Sequence, residues 1–143
     1  MGKNNTASNG WLNLLFQATT MTGVANNASS APLTSLYASL HTADPTASGT
    51  QTSSEVAYTG YARVAVVRTS SGWTTASAQS VSPVASISFP AGTGGSGTVT
   101  YFGIGSASSG AGSLFYSGTV TPNIVTGNGV TPILSTATTI TEA

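Results

Sequence analysis

From residue 35 onward, short runs in which apolar and polar residues alternate are separated by Gly, Pro and Ser. This is the pattern of β-strands joined by turns. In "SLYASLHT", Leu36, Ala38 and Leu40 alternate with polar neighbours, which predicts a half-buried strand. Other strands are predicted at 58–70 and near 73–76, 84–89, 98–105, 113–120 and 131–140. Such a series of short antiparallel strands predicts an all-β sandwich, either a jelly roll or an immunoglobulin-like fold.

The N-terminal part of the chain has a different period. "SNGWLNLLFQA" begins with Ser8 or Asn9 as a possible helix N-cap. The following residues place one apolar stripe on a helical face: Trp11, Leu14, Leu15 and Ala18. A short helix is therefore predicted. It can serve as a lid over the end of the core or as an arm that docks on a neighbouring subunit.

A polar connector without periodicity, "TGVANNASSAP", follows this helix. We therefore predict two parts, an N-terminal helix and flexible arm at 1–34 and a β-sandwich domain at 35–143. A chain of 143 residues is long enough for one domain with a real core, and no linker to a second domain is visible.

Charge is scarce throughout the chain. Charged residues make up 4% of the sequence, against about 25% in an average soluble domain. Three basic residues cannot neutralise a phosphate backbone, so we expect no nucleic-acid partner. The longest strongly apolar run, "WLNLLF", is far too short to span a bilayer, so we expect no membrane partner. A neutral surface repels other proteins little and therefore favours close association.

The candidates for chemistry are few. The single His41 lies near Asp44, which formally allows a serine-nucleophile triad, but no Ser stands in a nucleophile-elbow pattern. One His, few carboxylates and no Cys cannot fill a closed zinc site. "GTGGSG" lacks the lysine and the helix of a phosphate-binding loop. We therefore expect no enzymatic activity, no metal and no cofactor.

Aromatic residues offer a different hypothesis, a carbohydrate-binding surface. Tyrosine and tryptophan side chains more often fill a sandwich core with their polar ends at its rim. The residues concerned are Tyr37, Tyr58, Tyr61, Trp73, Tyr101 and Tyr116.

Half of the six charged residues lie in one stretch, "EVAYTGYARVAVVR", which contains Glu55, Arg63 and Arg68. In an unbroken strand the two arginines point to opposite faces, because they are separated by an odd number of positions. A charge among apolar groups is costly unless it is paired. We therefore predict structural ion pairs among Arg63, Glu55 and Asp44. Either Arg68 is also tied internally to these carboxylates, or it reaches outward to a partner. Its place at the strand end favours the outward reach.

The same stretch carries a family resemblance. "LYASLHTADPT", "EVAYTGYARVAVVR", "ISFPAGTGGSGTVTYFGIG" and "GSLFYSGTV" resemble a family of small tailed-phage virion proteins. Members of this family include a capsid cement (decoration) protein of a short-tailed phage, and many others are labelled tail fibre proteins. The resemblance covers roughly residues 33–141.

The resemblance implies a jelly-roll-type antiparallel β-sandwich without enzymatic activity. It implies a homodimer on the outer surface of the assembled capsid in the virion, where it bridges neighbouring major capsid proteins. The alternative is a tail-associated or capsid-surface module that binds host glycans. As residues that contact a partner we select Trp11, Leu14, Leu15, Phe16, Tyr58 and Arg68.

Overall fold

The computed structural model describes residues 4–21, 23–28 and 31–142. In this part of the chain one helix precedes eight strands. They are α1 (Asn5–Gln17), β1 (Ser35–His41), β2 (Val64–Val67), β3 (Ser80–Val81), β4 (Ile87–Ser88), β5 (Gly97–Gly105), β6 (Leu114–Thr126), β7 (Ile133–Leu134) and β8 (Ile140–Thr141). The pairs β1–β5, β3–β8, β4–β7 and β5–β6 are all antiparallel. The predicted all-β class is confirmed, with the short helix at the N-terminal end.

The strands form one larger sheet and two small ones. The larger sheet has the order β2-β1-β5-β6, and the two-stranded sheets are β3-β8 and β4-β7. In the larger sheet Ser39 of β1 lies opposite Gly103 of β5. Strand β2 is much shorter than the predicted run 58–70, because the chain turns at Gly60, where φ is +96°. Arg63 and Arg68 therefore flank the strand instead of lying within it.

The contacts of the chain divide it into two compact units. The helical unit comprises the described residues of 1–35, 66–86 and 135–143, and the sheet unit comprises residues 36–65 and 87–134. The helix thus shares a unit with two later segments of the chain. The division into 1–34 and 35–143, which follows the change in sequence pattern, stays a prediction.

In the helical unit, α1 begins earlier than expected. Asn4 is the N-cap and accepts a hydrogen bond from the backbone N–H of Ala7 at 2.9 Å, so Ser8 lies inside the helix and is buried. Leu12 and Phe16 are also fully buried. The Phe16 ring meets Trp73 edge to face, with ring centroids 4.6 Å apart. This contact, which brings α1 against a later segment of the chain, is favourable beyond the apolar area it buries.

Polar side chains also fix the helix within its unit. Asn9 and Asn13 accept hydrogen bonds from the backbone N–H groups of Gln79 and Ala76 at 2.8 and 2.7 Å. Gln17 donates to the carbonyl of Trp73 at 3.0 Å. These polar contacts lie on the same face of α1 as Leu12 and Phe16, so this face packs against the helix's own chain. Docking of α1 on a neighbouring subunit stays a prediction.

The core of the sheet unit is built from the alternating strands. Leu36, Ala38 and Leu40 of β1 and Val99 of β5 are fully buried. Ser39 and His41 are buried as well, so only the first part of β1 shows the predicted half-buried alternation. Buried polar side chains need hydrogen-bond partners. Ser39 and His41 contact each other, and His41 also contacts the carbonyl of Ser53.

Candidate functional site

Arg63 is the centre of a buried polar cluster in the sheet unit. Its Nε and Nη2 atoms donate to Oε1 and Oε2 of Glu55 at 2.6 and 2.7 Å, so the pair is bidentate. The side chain of Arg63 is 2% exposed and that of Glu55 is 16% exposed. The hydrogen bonds that Arg63 donates to Glu55 raise the pKa of Arg63, which keeps the guanidinium charged in this interior.

The remaining donors of Arg63 hold the β5–β6 connection. Nη1 donates to the carbonyl of Ala107 at 2.9 Å, and Nη2 donates to the carbonyl of Gly110 at 2.8 Å. The fully buried Gln51 supports the same loop by accepting from the N–H of Ala107 at 2.9 Å. Arg63 therefore links Glu55 to the connection between β5 and β6. These carbonyl partners have no side-chain signature in the sequence.

Tyr61 joins this cluster to β1. Its hydroxyl donates to Oε1 of Glu55 at 2.8 Å and accepts from the backbone N–H of Leu40 at 3.1 Å. Burial, and secondarily the contact with Glu55, raises the pKa of Tyr61 above its usual value. Tyr61 is one of the residues of the hypothetical carbohydrate-binding surface. Its hydroxyl instead completes the set of donors around one Glu55 oxygen.

Arg68 serves the helical unit in a comparable way. Its Nε and Nη2 donate to the carbonyls of Leu15 and Leu14 at 2.5 and 2.8 Å. Nη1 donates to the carbonyl of Leu33 at 2.6 Å and to Oδ1 of Asn27 at 3.2 Å. The last carbonyls of a helix lack partners within the helix, and a cation there is favoured by the helix dipole. Arg68 thus caps the end of α1.

The outward reach predicted for Arg68 is therefore not found. The residue is 8% exposed, and burial lowers its pKa. The carbonyl groups of Leu14 and Leu15 in α1 and of Leu33 lie close together and need hydrogen-bond donors, which the Arg68 guanidinium supplies. A role for Arg68 in partner contacts stays a prediction, but it would act through the helix that Arg68 holds.

Asp44 also differs from the expectation. It is exposed and forms no ion pair with either arginine in the described ranges 4–21, 23–28 and 31–142. Its Oδ1 accepts instead from the backbone N–H of Thr46 at 2.8 Å, so the carboxylate stabilises its own turn. The side chain faces solvent beside the first residues of β6.

His41 and Ser39 form a closed pair inside the sheet unit. Ser39 Oγ lies 2.9 Å from Nε2 of His41, and His41 Nδ1 lies 2.8 Å from the carbonyl of Ser53. Both residues have no exposed surface, and burial lowers the pKa of His41. Gly103 leaves room for them, since a Cβ atom there would come within 2.7 Å of both side chains. The carbonyl of Ser53, rather than Asp44, fixes the imidazole.

The residues selected for partner contact have different environments. Trp11 is 45% exposed, Leu14 and Leu15 are half-buried, and Phe16 is fully buried. Tyr58 is buried in the sheet unit and donates its hydroxyl to the carbonyl of Pro90 at 2.7 Å. Of this set, Trp11 presents the largest open apolar surface.

The surface of the described residues carries few charges. Both arginines are buried and Glu55 and Glu142 are half-buried, so Asp44 is the exposed charged side chain among those at 4–21, 23–28 and 31–142. Along β6 the outward positions alternate with half-buried ones and carry apolar or hydroxyl groups, including Phe115, Thr119 and Val125. Such a surface offers apolar area and hydrogen-bonding groups to a neighbouring molecule but little electrostatic attraction.

Within residues 4–21, 23–28 and 31–142, no three or more His, Asp or Glu side chains come together as a set of metal ligands. The helix in this part of the chain is not long and apolar enough to cross a membrane.

Comparison with known proteins identifies the family. No curated protein matches the sequence. A family model described as "Podophage GP4 fiber I protein gp80" matches residues 2–141, which is nearly the whole chain. The chain belongs to this family of phage structural proteins and is a structural protein of the virion.

Proposed function

We propose that this protein is a capsid cement protein. It binds the outer surface of the phage shell as a homodimer and bridges neighbouring major capsid proteins. The proposal includes the jelly-roll-type arrangement of the sandwich that the sequence resemblance implies. It assigns the protein no catalytic activity, no cofactor, and no nucleic-acid or membrane partner.

The observation that carries the proposal is that the side chains of both Arg63 and Arg68 are buried and donate their hydrogen bonds inside the protein. Arg63 and Arg68 are used inside the fold, and the exposed positions among the described residues carry mostly hydroxyl groups and apolar side chains such as Phe115 and Val125. A surface of this kind gains binding energy from shape, apolar burial and hydrogen bonds rather than from charge. Neighbouring copies at high local density also repel each other little.

This mechanism is tested by washing purified virions with salt at neutral pH. At about 1 M NaCl the Debye length falls to ~3 Å, so exposed charge contacts are screened. We expect the protein to stay on the particles as it does at about 0.15 M NaCl. Release at the higher concentration would contradict a contact based on apolar burial and hydrogen bonds. Sedimentation equilibrium of the free protein tests the dimer.

A second candidate is a tail-associated module. The specific observation in its favour is the description of the matching family, which names a fibre protein. A cryo-electron microscopy reconstruction of the intact virion separates the two. Density for this chain on the icosahedral shell supports the cement function, and density confined to the tail supports the second candidate.

A further inference from the structure

A concave site lies beside the first part of β6 in the sheet unit. The turn that contains Asp44 and Thr46 forms one wall, and Phe115, Tyr116 and Ser117 of β6 form another. The volume of the cavity is about 420 Å³. Small-molecule sites commonly enclose roughly 300–1,000 Å³ and combine apolar walls with a few polar groups. The cavity thus has the size and the mixed lining of a ligand site.

The polar wall is centred on the one exposed carboxylate described above. Oδ1 of Asp44 is held by the N–H of Thr46 at 2.8 Å, which fixes the direction of the carboxylate. Within the described part of the chain, Oδ2 has no hydrogen-bond partner. Thr46 and Ser117, which carry hydroxyl groups, also line the cavity. The site therefore offers a strong acceptor together with groups that both donate and accept.

The apolar wall is aromatic. Phe115 is 38% exposed on a strand whose other outward positions are mostly hydroxyl-bearing or small. Tyr116 is half-buried, and burial raises the pKa of its hydroxyl, which stays protonated near neutral pH. An aromatic ring supplies a rigid apolar surface at a low cost in conformational entropy. Phe115 lines the same cavity as Asp44.

We infer that the concave site formed by the turn at Asp44 and Thr46 and by Phe115–Ser117 of β6 binds a neutral saccharide. A sugar ring has C–H groups on its faces, which suit an aromatic wall, and hydroxyl groups around its rim, which donate to a carboxylate. Anionic sugars and phosphates are disfavoured, since among residues 4–21, 23–28 and 31–142 no cation pairs with Asp44 to offset repulsion. The sugar-binding residues considered from the sequence included Tyr58 and Trp73, which are buried.

This inference goes beyond the cement function and does not depend on it. Shell binding is expected to use the broad apolar and hydroxyl-bearing surface, whereas the saccharide site is a small cavity at one end of β6. Each function can therefore be lost while the other is kept, and each has its own experiment.

The inference is tested by titrating the isotopically labelled full-length protein with the neutral methyl glycosides of glucose, galactose, mannose, rhamnose and N-acetylglucosamine. Amide chemical shifts are followed by NMR. We expect at least one glycoside, at millimolar concentration, to give saturable shifts centred on residues 44–47 and 114–117. Absence of saturable shifts at these residues with all five glycosides would overturn the inference.

Variants locate the site. Asp44→Ala and Phe115→Ala should weaken binding at least tenfold, whereas Asp44→Asn, which keeps one oxygen acceptor, should weaken it less. Val125→Ala, at another exposed position of β6, is the matched control and should bind as the parent protein does. Phe115→Leu replaces Phe115→Ala if the latter does not give a native spectrum. Unchanged binding in the Asp44→Ala protein would contradict the assignment.

A second ligand class is distinguished in the same experiment. A carboxylate beside aromatic rings can also accept an arginine side chain of a partner protein. The probe is arginine amide at the same concentration. Saturable shifts at 44–47 and 114–117 with arginine amide, and none with any glycoside, would overturn the saccharide assignment in favour of a basic side chain.

Discussion

Arg63 and Glu55 face each other through two parallel hydrogen bonds, Nε to Oε1 at 2.6 Å and Nη2 to Oε2 at 2.7 Å. The geometry matches the planar fork of a guanidinium with the two oxygens of a carboxylate. The pair is largely removed from solvent. Removal of one member therefore leaves an uncompensated charge in a region of low polarity.

We predict that Arg63→Ala and Glu55→Ala each lower the free energy of unfolding by about 2–4 kcal/mol, because each leaves a buried charge without its partner. Urea denaturation followed by circular dichroism measures the effect. The double variant should lose less than the sum of the two single losses, since the interaction is counted twice in that sum. Midpoints equal to that of the parent would show that the pair does not stabilise the fold.

Arg68 gives a prediction for the helical unit. Arg68→Leu keeps apolar bulk but leaves the carbonyls of Leu14, Leu15 and Leu33 without their donor. A buried polar group that loses its partner costs about 1–3 kcal/mol. We expect faster hydrogen exchange of the α1 amides and a lower melting temperature. Arg68→Lys keeps the positive charge but not the planar set of guanidinium donors. Its exchange rate and melting temperature should lie between those of the parent protein and of Arg68→Leu. Unaltered exchange in α1 would argue against the capping role.

His41 makes stability depend on pH. Burial lowers its pKa in the folded protein, against about 6.5 in an unfolded chain, so the unfolded state takes up the proton first as the pH falls. The contribution of neutral His41 is complete above about pH 6.5 and decreases as the pH falls toward the lowered folded value. We expect the melting temperature to drop between pH 7 and pH 5. In His41→Gln this slope should be smaller, and an equal slope in both proteins would exclude His41 as its source.

The two aromatic residues of α1 form a matched pair for mutagenesis. Phe16 is fully buried against Trp73, so Phe16→Ala should lower the free energy of unfolding by about 3–5 kcal/mol. Trp11→Ala removes a partly exposed ring and should cost less than about 1 kcal/mol. Thermal denaturation compares them. The reverse order would mean that Trp11, not Phe16, anchors the helix.

The helix also shows why the sequence predicted an element but not its orientation. One stripe through Trp11, Leu14 and Leu15 and another through Leu12 and Phe16 both have helical spacing. Periodicity alone cannot rank them. The core selects the second stripe because Phe16 meets Trp73, a residue far away in the sequence.

The predicted strands were found where alternating apolar and polar residues are bounded by turn-forming residues, as in β1 and β5. The strand prediction was wrong for much of 58–70, because the backbone turn at Gly60 interrupts an alternating pattern that looks continuous. The partners of Arg68 were not predictable, since most are backbone carbonyls and every residue has one. The saccharide site was missed for another reason: Asp44 and Phe115 come together only through tertiary structure.

The capping of α1 by Arg68 has a consequence for how the protein can change over generations. Three of its acceptors are main-chain oxygens, at Leu14, Leu15 and Leu33, and substitution of those side chains leaves the oxygens in place. The arginine has no equivalent substitute, because no other side chain carries the same fork of donors. Tolerance to substitution should therefore be one-sided, with wide freedom at these acceptor positions and very little at position 68.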